Sequence, residues 1–259
     1  MKQNFKYYIK DRDIIFKYAF GPTEETNKEF HSFNEIILFL EGDAELISEN
    51  IHSKILPDTL IVIPKETYHQ VIIKGDAQNY HRCTLHFPDI PEFILNSKNS
   101  SGKIFLAEYN SDFIFMFEKL IKISKSPTLN ANVQLRALLS LILCEMSTKC
   151  TDNCNQNTQS ELLLAVIGYI NQNLNRDISV QTIARANNIS VSSLAHIFKK
   201  EMNISIYQYI IKKRLILAHR KISDGQLAST VAVECGFNDY SGFYKQYKKT
   251  FNCSPSGKR

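Results

Sequence analysis

Over the first ninety residues the apolar positions come in short β-branched runs broken by Gly, Pro and Asp. Glu35-Ile36-Ile37-Leu38-Phe39-Leu40 stops at Glu41-Gly42-Asp43, residues 44–48 follow, and residues 59–63 lie between Pro57-Asp58 and Pro64. Val71-Ile72-Ile73 and Cys83-Thr84-Leu85-His86-Phe87 add two more runs. Strands this short, with turn residues between them, predict a small antiparallel barrel or sandwich.

Past Pro88, Pro91 and a polar loop at 96–102 the period changes to that of helices. Phe113, Met116, Phe117, Leu120 and Ile121 share one face, and Leu135, Leu138, Leu139, Ile142 and Met146 share one face of a second helix. The pair predicts a helical hairpin over about 109–149, whose stripes either cover the neighbouring sheet or form a dimer contact. Residues 151–160 hold no apolar side chain except Cys154 and predict a linker. The expected organisation is a first domain over 1–150, a linker over 151–160 and a second domain over 161–259.

The second domain contains an internal repeat. Phe198-Lys199-Lys200-Glu201-Met202-Asn203-Ile204-Ser205 returns 49 residues later as Tyr247-Lys248-Lys249-Thr250-Phe251-Asn252-Cys253-Ser254. The same offset pairs Val191 with Tyr240, Ser192 with Ser241 and Leu194 with Phe243, whereas Ile183-Ala184 matches Val231-Ala232 at an offset of 48. Each copy predicts a short helix, a turn and a longer helix, with one more residue in the turn of the second. The units fall at about 178–201 and 226–250. Ala184 and Ala232 let two helices cross closely, and Asn188 and Gly236 occupy the turn, where a positive φ is tolerated. Asn203 and Asn252 are expected as left-handed helix ends, followed by the capping residues Ser205 and Ser254. Residues 205–223 form a connecting helix of about 27 Å at 1.5 Å per residue, near the roughly 34 Å between successive major grooves on one side of DNA.

At 100° per residue, Val191, Leu194, Ile197, Phe198 and Met202 face inward in the first long helix, as do Tyr240, Phe243, Tyr247 and Phe251 in the second. The opposite faces hold Ser192, His196 and Lys199, edged by Ser193, Ala195 and Lys200, and Ser241, Lys245 and Lys248, edged by Gly242, Tyr244 and Lys249. Short hydroxyls among Lys and His suit a major groove, with base edges met at the centre and phosphates at the rim. Arg214 on the connecting helix is a further candidate DNA contact.

Charge sharpens the division. Residues 1–150 hold 17 Lys/Arg and 19 Asp/Glu, a net of −2, while 151–259 hold 14 and 7, a net of +7. A basic second half beside a slightly acidic first half points to a polyanion partner for the former alone. No apolar run approaches the roughly 18 residues of a membrane span, and Met1-Lys2-Gln3-Asn4-Phe5 lacks the apolar core of a signal peptide, so a cytoplasmic protein is expected. Six scattered cysteines suit a reducing compartment, with Cys150 and Cys154 expected as ordinary exposed thiols. Nine scattered glycines form neither a Gly-x-Ser-x-Gly elbow nor a phosphate loop.

Residues 160–259 resemble the AraC/XylS family of bacterial transcription regulators. The likeness lies in Ala232-Val233-Glu234-Cys235-Gly236-Phe237-Asn238-Asp239-Tyr240-Ser241-Gly242-Phe243, continuing to Tyr247-Lys248-Lys249 and Ser254-Pro255-Ser256, and in Arg214 followed by Ala218. Asn203 and Asn252 stand where the family usually has glycine, and Gly257 where an aromatic is usual. The resemblance implies an α+β two-domain protein: an N-terminal cupin-like β-barrel with a helical hairpin, and a C-terminal all-α domain of two helix-turn-helix units joined by a long helix. It implies an effector-responsive activator whose partners are double-stranded promoter DNA, a small-molecule effector, RNA polymerase and a second copy of the chain.

His31-x-x-x-Glu35 with Gly42, then Pro57-Asp58 and His69, resembles the two cupin motifs in reduced form. A metal-binding cupin needs two histidines one residue apart, and Phe33 breaks that pattern, so no metal or other cofactor is expected. His31, Glu35, His69 and His81 are instead candidates for lining an effector pocket, with His86 as another possible member. The alternative function is a metal-dependent cupin enzyme with a basic nucleic-acid-binding appendage, which only His31, Glu35 and His69 support.

Overall fold

The computed structural model describes residues 5–21, 31–49, 51–76, 79–89, 105–108, 111–149 and 160–256. The chain divides into two compact units, Met1–Thr158 and Gln159–Arg259. Cys150, Cys154 and most of the expected linker lie outside the described residues, as does Gly257.

The first unit is built on strands β1 (Phe5–Asp11), β2 (Ile14–Phe20), β3 (Asn34–Glu41), β4 (Ala44–Ser48), β5 (His52–Ile55), β6 (Thr59–Ile63), β7 (His69–Ile73), β8 (His81–Phe87) and β9 (Phe105–Glu108). Among the described residues they form a six-stranded sheet, ordered β1-β2-β8-β3-β6-β9, and a three-stranded sheet, ordered β5-β4-β7. All pairings are antiparallel. β1, β2, β5 and β9 have no counterpart among the runs read from the sequence; β5 and β9 are only four residues long, with little alternation to mark them.

β3 is apolar without alternation because both of its faces are covered. Its odd positions Ile37 and Phe39 pack with Leu46, Ile55, Ile61 and Ile63 between the two sheets. Its even positions Ile36 and Leu38 pack with Leu60, Val62 and Leu85 against helices α1 (Ser111–Lys125) and α2 (Ala131–Lys149). The two helical stripes therefore cover the outer face of the large sheet: Phe113, Met116, Phe117, Leu120, Leu135, Leu138, Leu139, Ile142 and Met146 all belong to this core. A dimer contact through those same side chains is excluded by their burial. Parity also places Glu35 on the inter-sheet side of β3, with Ile37 and Phe39.

The second unit is helical: α3 (Glu161–Asn173), α4 (Val180–Ala186), α5 (Val191–Met202), α6 (Ile206–Ser223), α7 (Ala228–Glu234) and α8 (Tyr240–Phe251). Short polar side chains start most of these helices by accepting from the backbone N–H of the first turn: Ser160, Ser179, Ser190, Ser205 and Asp239. Thr182 and Gln208 complete capping boxes at α4 and α6. Asn188, Asn203 and Asn252 have φ of 53°, 53° and 55°, and Gly236 has 81°, so the turn and terminal positions of the repeat adopt the left-handed conformation expected of them. No described helix is long and apolar enough to cross a membrane.

Candidate nucleic-acid interface

The two copies place equivalent helices on one scaffold. In α5, Leu194, Phe198 and Met202 are buried, and in α8 Phe243 and Tyr247 are. Val191 and Tyr240, assigned inward by periodicity, are 42% and 41% exposed. Each follows its N-cap directly, and the apolar stripe reaches the core only one turn later, at Leu194 and Phe243. The first turn of both helices thus projects beyond the packed body.

On the outward faces, Ser192, Ser193, Ala195, His196, Lys199 and Lys200 of α5 are exposed, as are Ser241, Lys245, Lys248 and Lys249 of α8; Gly242 and Tyr244 are half-buried. Ser190 Oγ lies 2.8 Å from Ser193 Oγ and 3.2 Å from Ser192 Oγ, so three hydroxyls cluster at the start of α5. Lys199 Nζ donates to Asn203 O at 3.1 Å, at the helix C-terminus. Gly242 has a local reason to lack a side chain: a Cβ there would stand 2.8 Å from Asp239 Oδ2, displacing the cap that starts α8.

Arg214 needs a correction. It is 8% exposed, and its guanidinium is used within the protein: Nε donates to Leu174 O (2.9 Å), Nη1 to Gly236 O (2.8 Å) and Nη2 to Arg176 O (2.6 Å). The planar fork spans the end of α3, the approach to α4 and the α7–α8 turn, so Arg214 ties the two helix-turn-helix copies together and its guanidinium donates inside the protein. Gly236 is matched to it, because a Cβ there would lie 2.7 Å from Arg214 Cζ.

α6 holds the second unit through a core of Leu215, Ala218, Val231, Ala232, Cys235, Phe237, Phe243 and Tyr247, in which the small alanines allow close approach. His219 Nδ1 lies 2.6 Å from the Tyr247 hydroxyl, and its ring stacks on Phe251 at 4.2 Å. Burial lowers the His219 pKa and raises that of Tyr247 to about 12. Lys221 pairs with Glu234, fastening the end of α6 to α7. Lys212, half-buried on α6, has its pKa lowered to about 8, first by burial and then by the like charge of Lys249. This lysine near Lys249 of α8 had no distinguishing mark in the sequence.

In the first unit, His31, Glu35 and His69 converge. His31 Nε2 is 3.2 Å and His69 Nε2 3.6 Å from Glu35 Oε2. His81 does not join them: at the start of β8 it packs against the rings of Tyr18 (5.0 Å) and Phe20 (5.3 Å). The fourth member is His86, paired with Glu35 in the β3–β8 register, its Nε2 2.9 Å from Glu35 Oε1. His81 and His86 are five residues apart on one strand, so they point to opposite faces and lie about 16 Å apart along it. Burial works to raise the Glu35 pKa, but the imidazoles of His31 and His86 at its two oxygens outweigh it and hold the carboxyl well below the usual range. Burial, reinforced by His31, lowers the His69 pKa to about 4.

Residues 183–259 match the family model for a helix-turn-helix domain. The chain is 25% identical, over 87% of its length and 84% of the relative's, to a protein named HTH-type transcriptional activator RhaR from Mannheimia succiniciproducens. It is 33% identical to the probable transcriptional regulator LumQ from Photobacterium leiognathi, over 36% of this chain and 38% of that one. Among solved structures, ToxT from Vibrio cholerae is 14% identical, with 98% of this chain and 96% of that one covered and a TM-score of 0.44. The chain is a DNA-binding transcription regulator similar to these proteins, with a helix-turn-helix domain over residues 183–259. Its relatives are named as regulators of transcription, and nothing in them favours a cupin enzyme.

Proposed function

We propose that α5 and α8 of one chain enter successive major grooves of a promoter site in the cytoplasm, and that an effector held in the barrel modulates this binding. The observation that carries the reading is the repeat made three-dimensional: two exposed faces, rich in Lys and short hydroxyls, stand at equivalent positions of two units fastened to the single helix α6. Ser192, Ser193, Ala195 and His196, with Ser241, Gly242, Tyr244 and Lys245, would meet base edges. Lys199, Lys200, Lys248 and Lys249 would meet phosphates. Copy one, with its serine cluster and His196, is the better candidate for what this regulator alone recognises.

Activation would proceed through contact with RNA polymerase, and two copies would associate through the outer face of the hairpin, where Phe115, Val133 and Leu141 are each more than half exposed. An effector acts only through different affinity for two states of the protein, so its signature is a change in DNA affinity on binding.

The deciding experiment is a gel shift of the full chain on the DNA upstream of its own gene, at several salt concentrations. Neutralising phosphates releases counterions, so affinity should fall steeply, by about a thousandfold or more between 50 and 200 mM salt for six or more contacts. Absent or salt-insensitive binding would sink the reading. Lys245→Ala should reduce discrimination between specific and random DNA by about 1 to 3 kcal/mol, with the melting transition unchanged. An equal loss on both DNAs would make Lys245 a phosphate contact.

A further inference from the structure

We propose that His31, Glu35, His69 and His86 form a binding site for a divalent first-row transition-metal ion. The proposal concerns the barrel alone and stands independently of how the second unit reads DNA.

The argument begins with protons. His31 Nδ1 lies 2.6 Å from Phe33 O, and His69 Nδ1 lies 3.2 Å from Thr67 O. A carbonyl oxygen only accepts, so each of these nitrogens carries its ring's hydrogen, and in the neutral imidazole Nε2 is left with a lone pair. Both lone pairs face the same atom, Glu35 Oε2, at 3.2 and 3.6 Å. With both rings neutral, two lone pairs and a carboxylate oxygen point at one another inside a closed site: His31 is 6% exposed, Glu35 8% and His69 4%. Buried acceptors without a donor are unfavourable, and a cation among them removes the conflict. An extra proton on His31 would answer only one of the two contacts, because the His69 lone pair would still meet the same oxygen.

The arrangement also has the outer partners that metal-bound histidines need. Backbone carbonyls that accept Nδ1–H fix the tautomer and aim Nε2 at a metal. Phe33, which breaks the expected histidine pair, has its own use here: its ring stacks on His31 at 4.1 Å and on His86 at 4.2 Å, holding both planes. His86 then supplies from β8 the nitrogen that position 33 lacks, 2.9 Å from the other carboxylate oxygen. The ligand atoms of His31, Glu35 and His69 lie within 4.8 Å of one another. Bonds of about 2.0 to 2.2 Å put the donors of a metal roughly 3 to 4.4 Å apart, so small side-chain adjustments close the set. Three imidazoles and one carboxylate suit zinc, iron(II), cobalt or nickel, whereas calcium and magnesium favour sets made only of oxygen.

The test is a titration of the purified full chain, first stripped with a chelator, with cobalt(II). One equivalent should bind, with visible d–d absorption of a nitrogen and oxygen site, no intense sulfur-to-metal band in the near ultraviolet, and a rise in the melting midpoint. Glu35→Gln and His69→Ala should each weaken binding by at least about 100-fold, and His86→Ala by at least about 10-fold. Wild-type protein that takes up no cobalt overturns the proposal, and it does so even if a variant fails to fold. So does a sulfur-to-cobalt band, which would place the ion on cysteine, or an affinity that Glu35→Gln and His69→Ala leave unchanged. Unchanged affinity in His86→Ala alone removes the fourth ligand and overturns the set as proposed.

Discussion

Arg214→Ala is expected to destabilise the C-terminal unit by about 3 to 5 kcal/mol, because it takes a charged donor from three buried acceptors at once. Three backbone carbonyls, of Leu174, Arg176 and Gly236, lose their donors together. Each buried unsatisfied acceptor costs about 1 to 3 kcal/mol, and water entering the gap recovers part of the sum. Arg214→Lys should rescue little, since an ammonium cannot present three donors in the plane of a fork. The measurement is the urea midpoint of the full chain followed by far-ultraviolet circular dichroism. A midpoint unmoved by Arg214→Ala, together with a loss of DNA affinity, would return this residue to the DNA-contacting set.

Phe243→Ala should cost about 3 to 5 kcal/mol as well, for a different reason. The ring is fully buried and lies 5.0 Å from the ring of Phe237 and 5.4 Å from that of Tyr247, so its removal opens a cavity between α6, α7 and α8. The neighbours lie on α6, α7, α8 and the turn between the last two, held by the Ser205 and Asp239 caps and the Lys221–Glu234 pair, and cannot simply close in. DNA affinity should fall with stability, because Lys245 and Lys248 ride on the same helix. Unchanged unfolding would mean that the faces of α8 have been assigned in reverse. Lys245→Ala provides the contrast, losing DNA discrimination while the unfolding curve stays in place.

Some of the fold was legible because its determinants are local. A serine before a helix, an asparagine after one and a repeat of 49 residues act within a few positions of themselves, and Ser205, Asn203 and Asn252 adopt the conformations that their chemistry favours. The hairpin stripes were equally readable, although which of two surfaces they covered was not. What could not be read was register. His86 and His81 look alike in sequence, and only the pairing of β3 with β8 sets His86 opposite Glu35. Arg214 was misassigned for a related reason: a basic residue on a basic helix looks solvated until chain segments 38 and 40 residues away bring their carbonyls to it. Val191 and Tyr240 show the limit of periodicity, which gives direction around a helix but not how far along its axis the core extends.

The 18-residue helix between the two recognition units also bears on the promoter. On the proposed reading it acts as a spacer of fixed length, so the operator is constrained in phase as well as in sequence. Separating the half-sites by half a turn, about five base pairs, would carry the second one to the far side of the duplex. No change of side chains in α5 or α8 could recover it there. Functional operators in related genomes should therefore differ by base substitutions, and insertions or deletions between the half-sites should be rare except in steps of a whole helical turn.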